Sequence, residues 1–226
     1  MRLPTGTVIQ AEAVLFDMDG TLVNSSAVVE RIWRRWAARH GLNLDAILAA
    51  SHGRRSTETI ATFAPTGTDL AREAEWLRTA ELTEREGILP ARGAVSLLSA
   101  LPPERLAIVT SATRELATVR LSSAGLPELE IVIAAEDVNH GKPDPEGYIK
   151  AARQLAIAPE NCLVIEDAPA GLLAGAAAGA RVLAVATTLS IQELDDWEWT
   201  PDLTTLHLEG GGQGSPMCLR VGEPDG

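Results

Sequence analysis

The sequence predicts an α/β fold, a parallel sheet with helices on both faces into which an all-helical unit is inserted after the first strand. Three observations lead there. From residue 106 onwards, short apolar runs alternate with segments of helical spacing, the pattern of strands joined by crossover helices. A run of the same kind, Val14-Leu15-Phe16, stands far upstream of the others and belongs to the same sheet. Between the two, residues 42–87 offer helical patterns and no convincing strand, so that stretch lies outside the sheet.

Each element can be justified in turn. The run 14–16 enters Asp17-Met18-Asp19-Gly20-Thr21, two carboxylates two apart and then a glycine, which predicts a buried strand ending in a chemically loaded turn. Ser25 or Ser26 then caps a helix with Val29, Ile32, Trp33 and Trp36 on its apolar stripe and Gly41 as its stop. Arg31, Arg34, Arg35 and Arg39 line the polar side, and a solvated face is preferred to an anion site. Helices over 45–50, 57–63 and 70–86 follow, broken at Ser51-His52-Gly53 and Pro65-Thr66-Gly67. Pro90 and Gly93 mark the return to the sheet.

Strands at 106–110, 131–134, 163–165 and 181–186 then alternate with helices at 114–124, 146–155 and 168–178, the second helix with Asp144 as cap and Pro145 at its first position. Gly171, Gly175 and Gly179 mimic a membrane dimerisation spacing. The run around them is short, and a smooth helix packed close on the sheet is the expectation. In the tail, 195–199 is acidic and aromatic, 202–208 offers a last strand, 210–214 a flexible break and 217–221 an edge strand or a loose end.

Composition narrows the function classes. A net charge of −12 excludes a nucleic-acid binder, which needs a basic face. Only Cys162 and Cys218 are present, so neither a disulfide framework nor a cysteine metal site is indicated and a reducing compartment fits. The first ten residues lack an apolar signal region, and the longest small or apolar run, 168–180, is too short to span a bilayer. A cytoplasmic monomer without nucleic-acid or membrane partners is expected.

In open parallel sheets, ligands bind beyond the carboxyl ends of the strands. Four such ends carry Asp17 and Asp19, Thr110 and Ser111, Lys142, and Glu166 with Asp167. Carboxylates gathered so densely need a cation among them. All-oxygen donors point to a hard divalent ion, magnesium above all, sharing its shell with a substrate phosphate.

Asp17-x-Asp19-Gly20-Thr21, a strand ending in Ser111, Gly141-Lys142-Pro143 and Glu166-Asp167 resemble the four ordered motifs of the haloacid-dehalogenase-like hydrolase superfamily. The helical insertion is similar to the cap of its beta-phosphoglucomutase-like subfamily, and the stretches around Ser111, Lys142 and Glu166 resemble sugar-phosphate and polyol-phosphate phosphatases. The resemblance spans 13–188. It implies a Rossmann-like core of residues 1–21 and 88–226 with a helical cap of 22–87. It further implies a magnesium-dependent phosphatase acting on a small phosphorylated metabolite through an aspartyl-phosphate.

By that resemblance Asp17 is the nucleophile, and Asp19 first protonates the leaving oxygen and then deprotonates water. Ser111 with the backbone of Thr110 and Ala112 holds the phosphoryl oxygens, while Lys142 neutralises charge. Asp17, the Asp19 carbonyl, Glu166 and Asp167 hold the metal, Asp167 directly and Glu166 directly or through water. In the cap loop 52–56, Arg54 or Arg55 either contacts substrate or lies on the surface at a helix start. The mutase's helix histidine aligns with Val29 and its cap arginine with Ser56, and Glu115 stands where it has an asparagine. These departures favour net hydrolysis over mutase activity. A phosphoglycolate-type phosphatase and a non-catalytic regulator that binds a phosphometabolite are the remaining alternatives.

Overall fold

A computed structural model of the chain describes residues 1–211 and 215–223. Its elements are, in order, β1 (Val8–Ala11), β2 (Ala13–Phe16), β3 (Val23–Asn24), α1 (Ser26–His40), α2 (Leu44–Ser51), α3 (Ser56–Phe63), α4 (Leu70–Thr83) and β4 (Leu89–Pro90). There follow α5 (Ala94–Ala100), β5 (Leu106–Val109), α6 (Arg114–Ser123), β6 (Ile131–Ile133), α7 (Glu146–Gln154), β7 (Cys162–Glu166), α8 (Pro169–Ala177), β8 (Arg181–Val185), β9 (Glu198–Thr200), β10 (Leu206–Gly210) and β11 (Met217–Val221).

Six strands form the main sheet in the order β6-β5-β2-β7-β8-β9, all pairs parallel. The chain starts in the middle of this sheet, runs outward through β5 and β6, then returns to the other side of β2. That reversal leaves a crevice beyond the end of β2, where open sheets bind ligands. Register sharpens the point. Phe16 pairs with Ile108 on one side and Ile165 on the other, so Asp17 emerges beside Glu166 and one residue short of Thr110's row.

The strands are apolar throughout because both faces are covered. Phe16, Ile108, Ile165 and Leu183 pack with Leu97 of α5 and Leu121 of α6. Leu15, Val109 and Val164 pack with Tyr148 and Ala151 of α7 and Leu172 of α8. Gly175 permits the close approach on that face, since a methyl there would sit 2.9 Å from Val164 Cγ1.

Helices α1 to α4 fill the interval between β3 and β4, which pair antiparallel as Val23 with Pro90 and Asn24 with Leu89. This short neck was not foreseen, since two-residue strands carry no periodic signal. Ile32, Trp33 and Trp36 are buried, and Gly41 ends α1 in the left-handed conformation at φ 65°. Ser25 holds the cap position of α1, but its hydroxyl does not cap the helix; it donates to Asp19 Oδ1 at 2.7 Å instead. The arginine face of α1 is solvated and paired, with Arg31 and Arg35 on Glu84 and Arg39 on Glu73. Helix α4 stops at Thr83, three residues before the expected end, where Glu84 becomes the partner of those arginines.

The tail differs from expectation. The sixth strand of the main sheet is β9, inside the stretch read as merely acidic and aromatic. Residues 203–205 form a 3-10 turn, and β10 begins only at Leu206. The segment 217–221 is not an edge: β11 is the centre of a second sheet, β1-β11-β10, with Ile9, Leu206, Met217 and Leu219 joining the main core. Residues 212–214 of the expected break lie outside the described residues. Among the described residues no helix is long and apolar enough to cross a membrane.

Candidate active site

Asp17 follows β2 directly and is buried, its N–H donating to Ile165 O at 3.0 Å. Lys142 Nζ bridges Asp17 Oδ1 and Glu166 Oε1, the latter at 2.6 Å, and lies 5.3 Å from the centre of the Tyr148 ring. Burial, then the charge of Glu166, pushes the Asp17 carboxyl well above its ordinary range. Burial opposes the Lys142 ammonium, yet Asp17 and Glu166 outweigh it and raise its pKa. Asp17 Oδ2 has no hydrogen-bond donor among the described residues.

Glu166 is completely enclosed. Its Oε1 also accepts from the Tyr148 hydroxyl at 3.2 Å, and its Oε2 accepts the N–H groups of Asp167 and Ala168 at 2.8 and 2.9 Å. With two donors on each oxygen, Glu166 is less available for direct ligation than Asp167, whose oxygens accept one each. The Asp167 carboxylate accepts from Thr21 Oγ1 at 3.0 Å and from Thr188 Oγ1. Burial, then Glu166, lifts its pKa to about 7. Gly20, at φ +91°, makes room for it, since a methyl there would lie 2.0 Å from Asp167 Oδ2.

Carboxylate oxygens of Asp17, Glu166 and Asp167 all lie within 4.8 Å of one another. Three carboxylates against the single Lys142 ammonium leave two negative charges in a buried pocket, and an all-oxygen donor set of that charge suits a hard divalent cation.

Asp19 is held differently. Its Oδ1 accepts from Ser25 and its Oδ2 from Arg120 Nη1 at 2.5 Å. Arg120 Nη2 lies 3.6 Å from Glu81 Oε1, which in turn accepts from Ser56 Oγ at 3.1 Å. Burial works against the Arg120 charge, but Asp19 and Glu81 raise its pKa.

Three expected phosphate ligands are otherwise occupied, the Thr110 N–H by Ile133 O at 2.9 Å. Ser111 Oγ donates to Gly53 O of the cap loop at 2.8 Å, and the Ala112 N–H donates to Thr110 Oγ1 at 3.1 Å. The buried Thr110 therefore props the turn from inside, and the Ser111 N–H is the donor there without an acceptor among the described residues. The two arginines part company. Arg54 lines the cleft with Asp17, Asp19, Ser56, Glu81 and Ser111, a space of about 110 Å³. Arg55 is turned away and donates to Ala135 O and Val138 O at 3.0 and 2.9 Å.

A model of the haloacid dehalogenase-like hydrolases matches residues 11–179. The chain belongs to that family. The hydrolase is 43% identical to hexitol phosphatase A of Escherichia coli over 194 residues, 83% of this chain and 90% of that protein. Glycerol-1-phosphate phosphohydrolase 2 of Saccharomyces cerevisiae is 34% identical, covering 83% of this chain and 80% of the yeast protein. A crystal structure of a family hydrolase from Deinococcus radiodurans, with bound phosphate and sodium, matches with a TM-score of 0.62 and 33% identity over 82% of this chain and 87% of that one.

Sequence reasoning missed Thr188, Tyr148, Arg120 and Glu81. Thr188 follows the end of β8, so reading one more strand end would have found it. Arg120 falls three residues after Ala117 and four after Leu116, on the buried stripe of α6, and a cation at such a position is itself a signal.

Proposed function

We propose that this hydrolase is a magnesium-dependent phosphatase of small sugar or polyol phosphates, working through an aspartyl-phosphate on Asp17. The observation that carries the reading is the buried set of Asp17, Lys142, Glu166 and Asp167, with one Asp17 oxygen open and Asp19 alongside. The accompanying division is a core of 1–21 and 88–226 and a cap of 22–87. The names of the relatives support the substrate class. So does the cleft lining, where Ser56, Glu81 and His52 offer partners to hydroxyl groups.

Asp17 Oδ2 attacks phosphorus, the bond to the leaving oxygen breaks, and Asp19 supplies that oxygen's proton. Water then attacks the phosphorylated Asp17, Asp19 takes its proton, and inorganic phosphate departs. Lys142 offsets charge on Asp17 and the transferred group, and the Ser111 N–H holds a phosphoryl oxygen. Asp17, Asp167 and the Asp19 carbonyl, with Glu166 behind them, would hold magnesium, which would supply the charge neutralisation an anion needs to attack an anion. Val29 lines the cleft and offers no second base, which favours hydrolysis over transfer within a sugar.

A panel of hexitol, glycerol and aldose phosphates, assayed for phosphate release with magnesium, tests this. Polyol phosphates should give the highest kcat/KM, and Asp17→Asn should lose all detectable turnover. Full activity in that variant, or isomerisation without phosphate release, would overturn the proposal.

A further inference from the structure

We propose that Arg120 is a positioning residue that sets the Asp19 carboxylate for proton transfer and, through Glu81, ties that setting to the docked helical unit. The inference rests on the reading of Asp19 as proton carrier.

A buried guanidinium is costly unless anions surround it, and arginine cannot escape by losing its proton. Arg120 has a side chain only 7% exposed, in the last turn of α6. Its two partners come from different parts of the chain: Asp19 from the turn after β2, and Glu81 from α4. Nη1 is hydrogen-bonded to Asp19 and Nη2 faces Glu81 at ion-pair distance, so two anions orient the guanidinium plane in a way a lysine could not reproduce.

Asp19 needs such a hold. Its side chain remains 26% exposed toward the cleft, and a carboxylate on a turn would otherwise sample several rotamers. Ser25 on one oxygen and Arg120 on the other select a single orientation, and each oxygen keeps a spare lone pair for the leaving group or water. Proton transfer depends on that geometry before anything else.

Glu81 supplies the link to the helical unit. It is 12% exposed and accepts from Ser56 at the start of α3, so it moves with α3 and α4. The other ties across this boundary run from Ser111 to Gly53, from Arg55 to Ala135 and Val138, and from Arg78 to Glu115. None of these touches Asp19, which the helical unit also reaches directly through Ser25, at the cap position of α1. Separation of the helical unit therefore releases one half of the Arg120 fork, and Asp19 loses its fixed setting at the moment the cleft opens to water.

The test compares an alkyl phosphate, whose leaving oxygen needs a proton, with nitrophenyl phosphate, whose leaving group departs as the anion. In Arg120→Met, kcat on the alkyl ester should fall about 100-fold, with KM changed less than about threefold. Nitrophenyl phosphate should still give a rapid burst of nitrophenolate, followed by slow turnover, because only the water step then needs Asp19. Arg120→Lys should recover about tenfold of the loss, and Glu81→Gln should lower kcat about tenfold. Equal losses on both esters with no burst, a change confined to KM, or unchanged kcat in all three variants would overturn the role. If Arg120→Met gives no melting transition, the leaving-group dependence of Arg120→Lys and Glu81→Gln decides by the same criteria. Asp19→Ala separates the two readings. Retained alkyl turnover in it removes the proton carrier itself, whereas its collapse beside unaffected Arg120 and Glu81 variants removes only the positioning role.

Discussion

At Gly171 an added methyl would lie 1.5 Å from Glu166 Oε1 and 2.0 Å from its carboxyl carbon. The glycine is there because Glu166 needs the space against α8. Displacing that carboxylate would disturb Lys142, Tyr148 and two backbone N–H groups together. Gly175, four residues on, meets only valine methyls of β7 and β8. Overpacking alone costs about 1–3 kcal/mol, so Gly171→Ala and Gly175→Ala should both lower stability in denaturant titrations by that order. Only Gly171→Ala should also lower kcat, by more than about 100-fold, because it moves the group that anchors Lys142. In the sequence the two glycines look alike, since spacing reports a close-packed helix face but not what lies beneath each position.

Among the elements, the packing of α1 on α4 turns on one buried carboxylate. Glu73 accepts from Trp36 Nε1 at 2.9 Å, pairs with Arg39 at 3.2 Å and contacts His40 Nε2 at 3.1 Å. Burial alone would raise its pKa, but His40, Trp36 and Arg39 together bring it below its ordinary 4.5. A depressed carboxylate adds stability that is complete above the unfolded-state pKa and is lost as pH falls through the folded one. Glu73→Gln should therefore cost about 1–3 kcal/mol at neutral pH, and the gap to the parent protein should close below pH 4.5. Denaturant titrations across pH 3 to 7, taken as a range of roughly two units either side of a carboxylate pKa, check this. A gap independent of pH would rule Glu73 out as the source. The helices themselves were legible because Ile32, Trp33 and Trp36 repeat at helical spacing. The neck β3–β4 and the strand β9 were not, since two or three residues hold too little alternation. Strand β1 pairs with β11 across nearly the whole chain, and no local pattern reveals which distant partner a strand will find.

Over the whole molecule, the sheet order converts four distant motifs into one pocket. That these four strand ends share one edge was legible in the sequence, because the strand-end rule needs only the order of elements. The sequence did not show that Ser111 would meet the cap loop or that Arg55 would turn away from the cleft, because both depend on how the helical unit docks. The pocket's charge gives a global consequence. With Lys142 set against Asp17, Glu166 and Asp167, excess negative charge crowds the core, where burial raises the pKa of Asp17 and Asp167, and folding has to bear that charge or take up protons unless a cation binds. Magnesium at about 100 times its Kd should stabilise the fold by about 2.7 kcal/mol, a rise in Tm of about 5–10 °C for a chain of this size. Asp17→Asn removes one charge, so its metal-free Tm should exceed that of the parent while its magnesium shift shrinks. A second acidic group, His140, Asp144 and Glu146, is already engaged with backbone N–H groups of 139, 140 and 146. Asp144→Asn should therefore keep the full shift. Differential scanning calorimetry with and without a chelator separates the sites, and an undiminished shift in Asp17→Asn would place the metal elsewhere.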